Sequence, residues 1–281
     1  MHKGVRFVAV QSIVVRNMVF EIPEVKDFQP LYIAGNSALS YGHTALGLYS
    51  AYLEPFFVKS LRKVIDQIED EDLREQADRL WRQEAQHYQK HVEFNTLILA
   101  QNYPGLAELL SNIEKDFESY LSDQSDRFRI AYIQGFESYT TQFALQVLDS
   151  GLYDHRRTDP AFGELFKWHL LEEVEHRNVA FDVYQHLYGG YFYRARMCRV
   201  AQQHMFHFMS DCMNIMSSAD EVRLRNKRCR ITTKQKVMIT INQLGMQVRS
   251  MLPGYTPHKY AVPPKIVALS EYFTKQASSI R

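Results

Sequence analysis

The sequence predicts an all-α protein, built as a bundle of long helices with a short extended arm ahead of them. Three observations carry this. Glycine (12) and proline (9) are sparse in 281 residues, which suits long helices better than a turn-rich β architecture. Apolar residues recur with helical spacing from about residue 43 almost to the end. The places where that spacing stops coincide with Gly, Pro and Asn-rich breaks.

Taken in order, residues 5–22 run in β-branched residues (Val14, Val15, Val19, Ile22) before Pro23 and Pro30, and predict a short strand or an extended arm. A first long helix is expected over 43–68 and a second over 70–101, ended by Asn102-Tyr103-Pro104-Gly105. A shorter helix follows over 105–121, then a third long one over 124–150, stopping at Gly151. The fourth starts near Asp159-Pro160, a capping residue followed by proline at the first helical position, and ends at Gly189-Gly190. Further helices are expected over 191–217, 233–250 and 265–278. No Gly/Ser linker or low-complexity segment divides the chain. The expected organisation is an arm over 1–40 and a single helical domain over 41–281, with its main bundle over 43–188 and accessory helices over 191–278.

Chemistry concentrates on the four long helices. The second contains Glu84-Ala85-Gln86-His87 and the fourth Glu173-Val174-Glu175-His176. Residues three apart share one helical turn and face, so a carboxylate and an imidazole can reach one ion together. The first helix offers Glu54 and the third Glu137, each a lone acid among aromatic and small residues. Around Glu137, residues 131–139 contain no other charge. A carboxylate buried there needs a partner, because desolvating it alone is expensive. The order Glu, Glu-x-x-His, Glu, Glu-x-x-His is that of ferritin-like bundles with a di-metal core. Glu54, Glu84, His87, Glu137, Glu173 and His176 are therefore the expected metal ligands. Four carboxylates and two imidazoles suit two iron ions, with manganese as the alternative, better than zinc or copper.

Further groups lie on the same stripes. His91 follows Glu84 by two turns, and His169 precedes His176 by two turns with Glu172 between them. Each is a candidate third nitrogen ligand, a partner that orients a ligand, or a core histidine. Asp182 is a candidate acceptor for a ligand imidazole, or a surface acid paired with Arg177. Trp81, Tyr88, Tyr132, Phe136 and Tyr139 could line a pocket or include a redox-active tyrosine, although aromatic stripes at helical spacing more often mean core.

Other features bound the function. The formal net charge is +1, so nothing global points to nucleic acid. Seven basic residues fall within 222–236; they read as a solvated connector before a phosphate or acidic-partner site. Met205, Phe206, Phe208, Met209, Met213 and Met216 read as core before an apolar tunnel or a dimer interface. His204 and His207 lack an acid at ligand spacing. Three scattered cysteines suit a reducing compartment. With neither a long apolar leader nor an 18-residue apolar window, a cytoplasmic location without a membrane span is expected.

Leu53-Glu54-Pro55-Phe56-Phe57, Gln83-Glu84-Ala85-Gln86-His87 with His91 and Phe94-Asn95, and Trp168-His169 with Glu172-Glu173-Val174-Glu175-His176-Arg177 and Ala180-Phe181-Asp182-Val183-Tyr184 resemble the bacterial predicted metal-dependent hydrolases. The resemblance is good over roughly residues 40–190 and implies a ferritin-like fold. Where that family commonly has Glu-Arg in the first motif, this chain has Glu54-Pro55, and Pro55 is expected to kink the first helix at the site.

Three functions fit these residues. First is a di-iron oxidoreductase using O2 on a small or apolar organic substrate, with an electron donor and a homodimer as candidate partners. A metal-dependent hydrolase with the same ligands is the alternative, and iron storage comes last, since the helices beyond residue 191 and the arm exceed a minimal bundle.

Overall fold

The computed structural model describes residues 13–279. Among these it contains nine α-helices and no strand: α1 (Ser37–Val64), α2 (Glu71–Leu99), α3 (Leu106–Asp123), α4 (Asp126–Ser150), α5 (Pro160–Glu175), α6 (Val179–Leu187), α7 (Tyr191–Arg223), α8 (Thr233–Met251) and α9 (Pro264–Ser279). The chain is an all-helical bundle.

Local chemistry sets most boundaries. Asn36, Asp70 and Ser125 cap α1, α2 and α4, each side chain accepting from a backbone N–H three residues on, which satisfies a donor the helix cannot. Asp159 caps α5, with Pro160 at the first position. Asn36 starts α1 six residues before the expected residue 43. The helix also runs on through Pro55, so the expected kink does not interrupt it.

The expected fourth long helix is two. α5 ends at Glu175 and α6 begins at Val179. Between them the Arg177 guanidinium donates to the Val174 carbonyl at 2.7 Å, and the Val179 N–H turns back to the His176 carbonyl. A side chain thus takes a carbonyl at the end of the helix, and no glycine or proline marks the place.

Residues 13–24 have no regular secondary structure, so the strand reading has no support over them. Residues 5–12 of that reading lie outside the described residues. Ile13, Met18 and Phe28 are buried in the apolar core, so the arm packs onto the bundle. α1 packs chiefly on α2, and α4 packs on α5, α6 and α7. The α4–α7 crossing is close at Gly135, where an added Cβ would lie 2.9 Å from Cys198 Cα and from Met197 O.

Candidate metal centre

Where α1, α2, α4 and α5 face one another, seven chemically active side chains form two adjoining groups. Glu54, His87 and His169 make one, and Glu84, Glu137, Glu173 and His176 the other; within each, one potential ligand atom per residue lies within 4.8 Å of the rest. All seven are buried. Glu84 Oε1 lies 3.8 Å from His87 Nδ1 and 3.6 Å from His176 Nε2, which places this carboxylate between the groups. His176 Nε2 is also 3.3 Å from Glu137 Oε2 and 3.4 Å from Glu173 Oε2.

The donor set fits cations. Glu54 Oε2, Glu84 Oε1, Glu137 Oε1 and His87 Nδ1 are buried without a hydrogen-bond partner. Buried polar atoms are normally satisfied, and four such atoms within two adjoining groups have positive ions as their natural counterpart. The two motif histidines, His87 and His176, are also held from behind. His87 Nε2 donates to Glu172 Oε2 at 3.1 Å, and His176 Nδ1 donates to Gln83 Oε1 at 3.1 Å. Such partners fix the tautomer and leave the other ring nitrogen free for a metal.

Electrostatics express the same crowding. Burial, then the Glu173 carboxylate, pushes Glu137 up to about 8. Burial and the Glu84 charge raise Glu54 well above the carboxylate range. Burial also acts on Glu173, but hydrogen bonds and charges from His169 and His176 overcome it and hold that group well below the range. For His87, burial opposes protonation, yet contacts with Glu172 and Glu84 outweigh it and lift the imidazole to about 10. Burial and the crowding of like and opposite charges account for these opposed shifts.

The extra residues on the motif stripes divide. His169 joins the group of Glu54 and His87. His91 lies behind it: its Nε2 is 3.0 Å from His169 Nδ1 and 3.4 Å from Glu54 Oε1. The bare backbone of Gly47 makes room for this ring, since a Cβ there would approach His91 Nδ1 to 3.2 Å. Glu172 faces away from the groups and accepts from His87, Trp168 Nε1 and Arg16. Asp182 bonds His258 on the surface at 2.9 Å, so it orients neither motif histidine and does not pair with Arg177. Of the aromatic residues, Tyr132, Phe136 and Tyr139 are buried. Trp81 instead lies against the Arg62 and Arg82 guanidiniums and Tyr88 is exposed. His204 turns from His207 to Tyr132 OH at 2.6 Å and Asp116 at 3.3 Å.

Two residues behind the centre, Arg16 and Gln83, are not predicted by the ligand spacing. Arg16, from the arm, is 1 % exposed and donates to Glu172 at 3.0 Å and to both oxygens of Glu175 at 2.8 and 2.7 Å. Gln83 joins His176 to the arm by donating to the Val14 carbonyl at 2.9 Å. One signal pointed to a cation here: Glu172, Glu173 and Glu175 crowd one turn beside His176, and they cannot all bind metal.

Among the described residues no helix is long and apolar enough to cross a membrane. No curated protein and no solved structure matches the chain. The profile of one family, described as predicted metal-dependent hydrolase, matches residues 14–261, a span holding Arg16 and both donor groups; the chain belongs to that family.

Proposed function

We propose that the chain is a metal-dependent hydrolase working with two divalent ions held side by side in the bundle. The observation that supports this is the pair of adjoining buried donor groups with unpartnered carboxylate and imidazole atoms turned inward. In this reading Glu54, His87 and His169 would hold one ion and Glu137, Glu173 and His176 the other, with Glu84 near residues of both groups. Two imidazoles and one carboxylate are the protein ligands of many catalytic zinc ions, which keep a further position open. A divalent ion so held supplies Lewis acidity and lowers the pKa of water. The chain's own part is orientation: Glu172 and Gln83 hold the two motif histidines, while the packed core limits solvent. Residues 41–281 are read as one domain around this centre, acting on a small or apolar organic substrate.

The three-carboxylate group supports a second reading, a di-iron oxidoreductase using O2, because hard oxygen donors favour iron or manganese there. One experiment separates the two. Protein reconstituted with zinc is assayed under strict anaerobiosis on a panel of esters, amides and phosphoesters, beside iron-loaded protein exposed to O2. The hydrolase reading expects turnover with zinc and without O2, falling at least about 100-fold in Glu84→Ala. Turnover confined to iron-loaded protein and dependent on O2 would replace it with the oxidoreductase.

A further inference from the structure

Between Glu221 and Glu271 the sequence holds ten lysines and arginines and not one aspartate or glutamate. The whole chain has a formal net charge of only +1, so this stretch is a basic block on a body that is otherwise net acidic. The connector that leads into α8 carries exposed Arg225, Lys227, Arg228 and Arg230, and Lys234 stands exposed in the first turn of the helix. Among the described residues none of these five forms an ion pair.

The helix they lead into is turned the unusual way round. Met246 and Ser250 of α8 are buried against the bundle. At about 100° per residue, Val237, Ile241, Leu244 and Val248 fall within about 60° of one another on the opposite side. They are 51, 60, 52 and 57 % exposed, and Met238 and Leu252 extend the strip at 60 and 51 %. Phe192, 85 % exposed, follows Tyr191, whose hydroxyl donates to the Met251 carbonyl at the end of α8. Next to Leu244, Gly245 has nothing within 4 Å of the place a Cβ would occupy. A monomer scatters single apolar residues over its surface; a continuous strip of this length calls for an occupant.

We propose that α8 is a docking face for an anionic membrane surface: the apolar strip lies in the headgroup–acyl boundary and the basic connector meets the lipid phosphates. An apolar helix face bordered by lysine and arginine, with an aromatic at one end, is the pattern of helices that lie in the interface plane rather than cross it. Charge complementarity selects this occupant over a second copy. α8 carries Lys234, Lys236 and Arg249 and no acid, so two such faces would set like charges against each other, whereas an anionic bilayer attracts every cation in the block. The docking face lies outside the metal centre, because none of its residues is among the metal-site candidates. It bears on the proposed reaction by bringing the bundle to a phase where apolar substrates concentrate.

The test is flotation of the full-length, metal-loaded protein with vesicles of phosphatidylcholine alone or with 30 mol % phosphatidylglycerol (about a third). Wild type should float with the anionic vesicles and several-fold less with the neutral ones. Ile241→Asp/Val248→Asp should abolish flotation while helical circular dichroism and metal content stay at wild-type levels. Arg225→Glu/Arg228→Glu should weaken binding by about fivefold for each cation removed and erase the preference for anionic lipid. Wild type that stays unbound to both vesicle types overturns the proposal. So does light scattering that shows a stable dimer which the aspartate pair splits, or binding restricted to an acidic protein. Activity does not enter the readout, so failure of the hydrolase reading leaves this test intact.

Discussion

Arg16 shows how a single residue outside the motif shapes the centre. Its guanidinium pairs with both Glu172 and Glu175, and Glu172 in turn accepts from His87. Removing one partner of a buried ion pair strands the other charge and typically costs about 3–5 kcal/mol. Arg16→Met should therefore lower the unfolding free energy by that order, read from urea titrations, and Arg16→Lys should recover only part, because one ammonium cannot span two carboxylates. His169 makes a complementary case. As a member of one donor group only, its replacement by alanine should remove about one ion per chain and leave the other, measured by elemental analysis of iron- or zinc-loaded protein. Retention of both ions would place His169 outside the ligand set.

At the scale of elements, two features decide where the candidate ligands stand. The break at His176–Asn178 lets α5 end as soon as His176 has been delivered to the centre, while α6 packs on α4 and α2. The α4–α7 crossing brings backbones into contact at Gly135, two residues before Glu137, and Gln202 of α7 donates there to the Gly135 carbonyl at 2.9 Å. Gly135→Ala would force backbone atoms apart rather than displace a flexible side chain. Overpacking of this kind costs about 1–3 kcal/mol. The expected outcome is that loss of stability, together with weakened metal retention, since α4 carries Glu137. Full metal content in a folded Gly135→Ala variant would show that the crossing sets stability alone.

For the whole molecule, metal removal and pH are linked. Without cations Glu137 holds its proton up to about 8 in the folded chain but only to the ordinary carboxylate range when unfolded. A raised folded value gives stability that is complete below the unfolded pKa and is lost as pH climbs through the folded one. His87, raised to about 10, acts in the same sense between the ordinary histidine value and 10. His91 and His169 are lowered, chiefly by burial, and His43 falls to about 4 for the same reason; their contribution is lost as pH drops below the ordinary histidine value. Chelator-treated protein should thus gain stability as pH falls from 8 to about 6.5, by roughly 4 °C in Tm, and gain no more below that. Metal-loaded protein should melt higher and respond less over the same range. A metal-free Tm equal to the loaded one at pH 7.5 would contradict a centre that needs its ions.

The sequence by itself determined what local rules control. Helix identity followed from apolar spacing, and the start of α5 from Asp159, because a cap is satisfied within three residues of itself. The two Glu-x-x-His motifs and the lone Glu54 and Glu137 were legible for a similar reason: spacing along a helix converts directly into a shared face, and an acid in an uncharged run declares its need for a partner. What only the tertiary structure decided involves contacts between segments far apart in the chain. His91 and His169 occupy equivalent stripe positions, and only the packing of the whole bundle put one behind the other. Arg16 lies 156 positions from Glu172, so no local pattern could join them. The break after His176 came from Arg177 taking a carbonyl, which propensity does not encode. The orientation of α8 was hidden as well, because a helix with one apolar stripe reads the same whether that stripe meets the core or the solvent, and only the surrounding fold chooses between them.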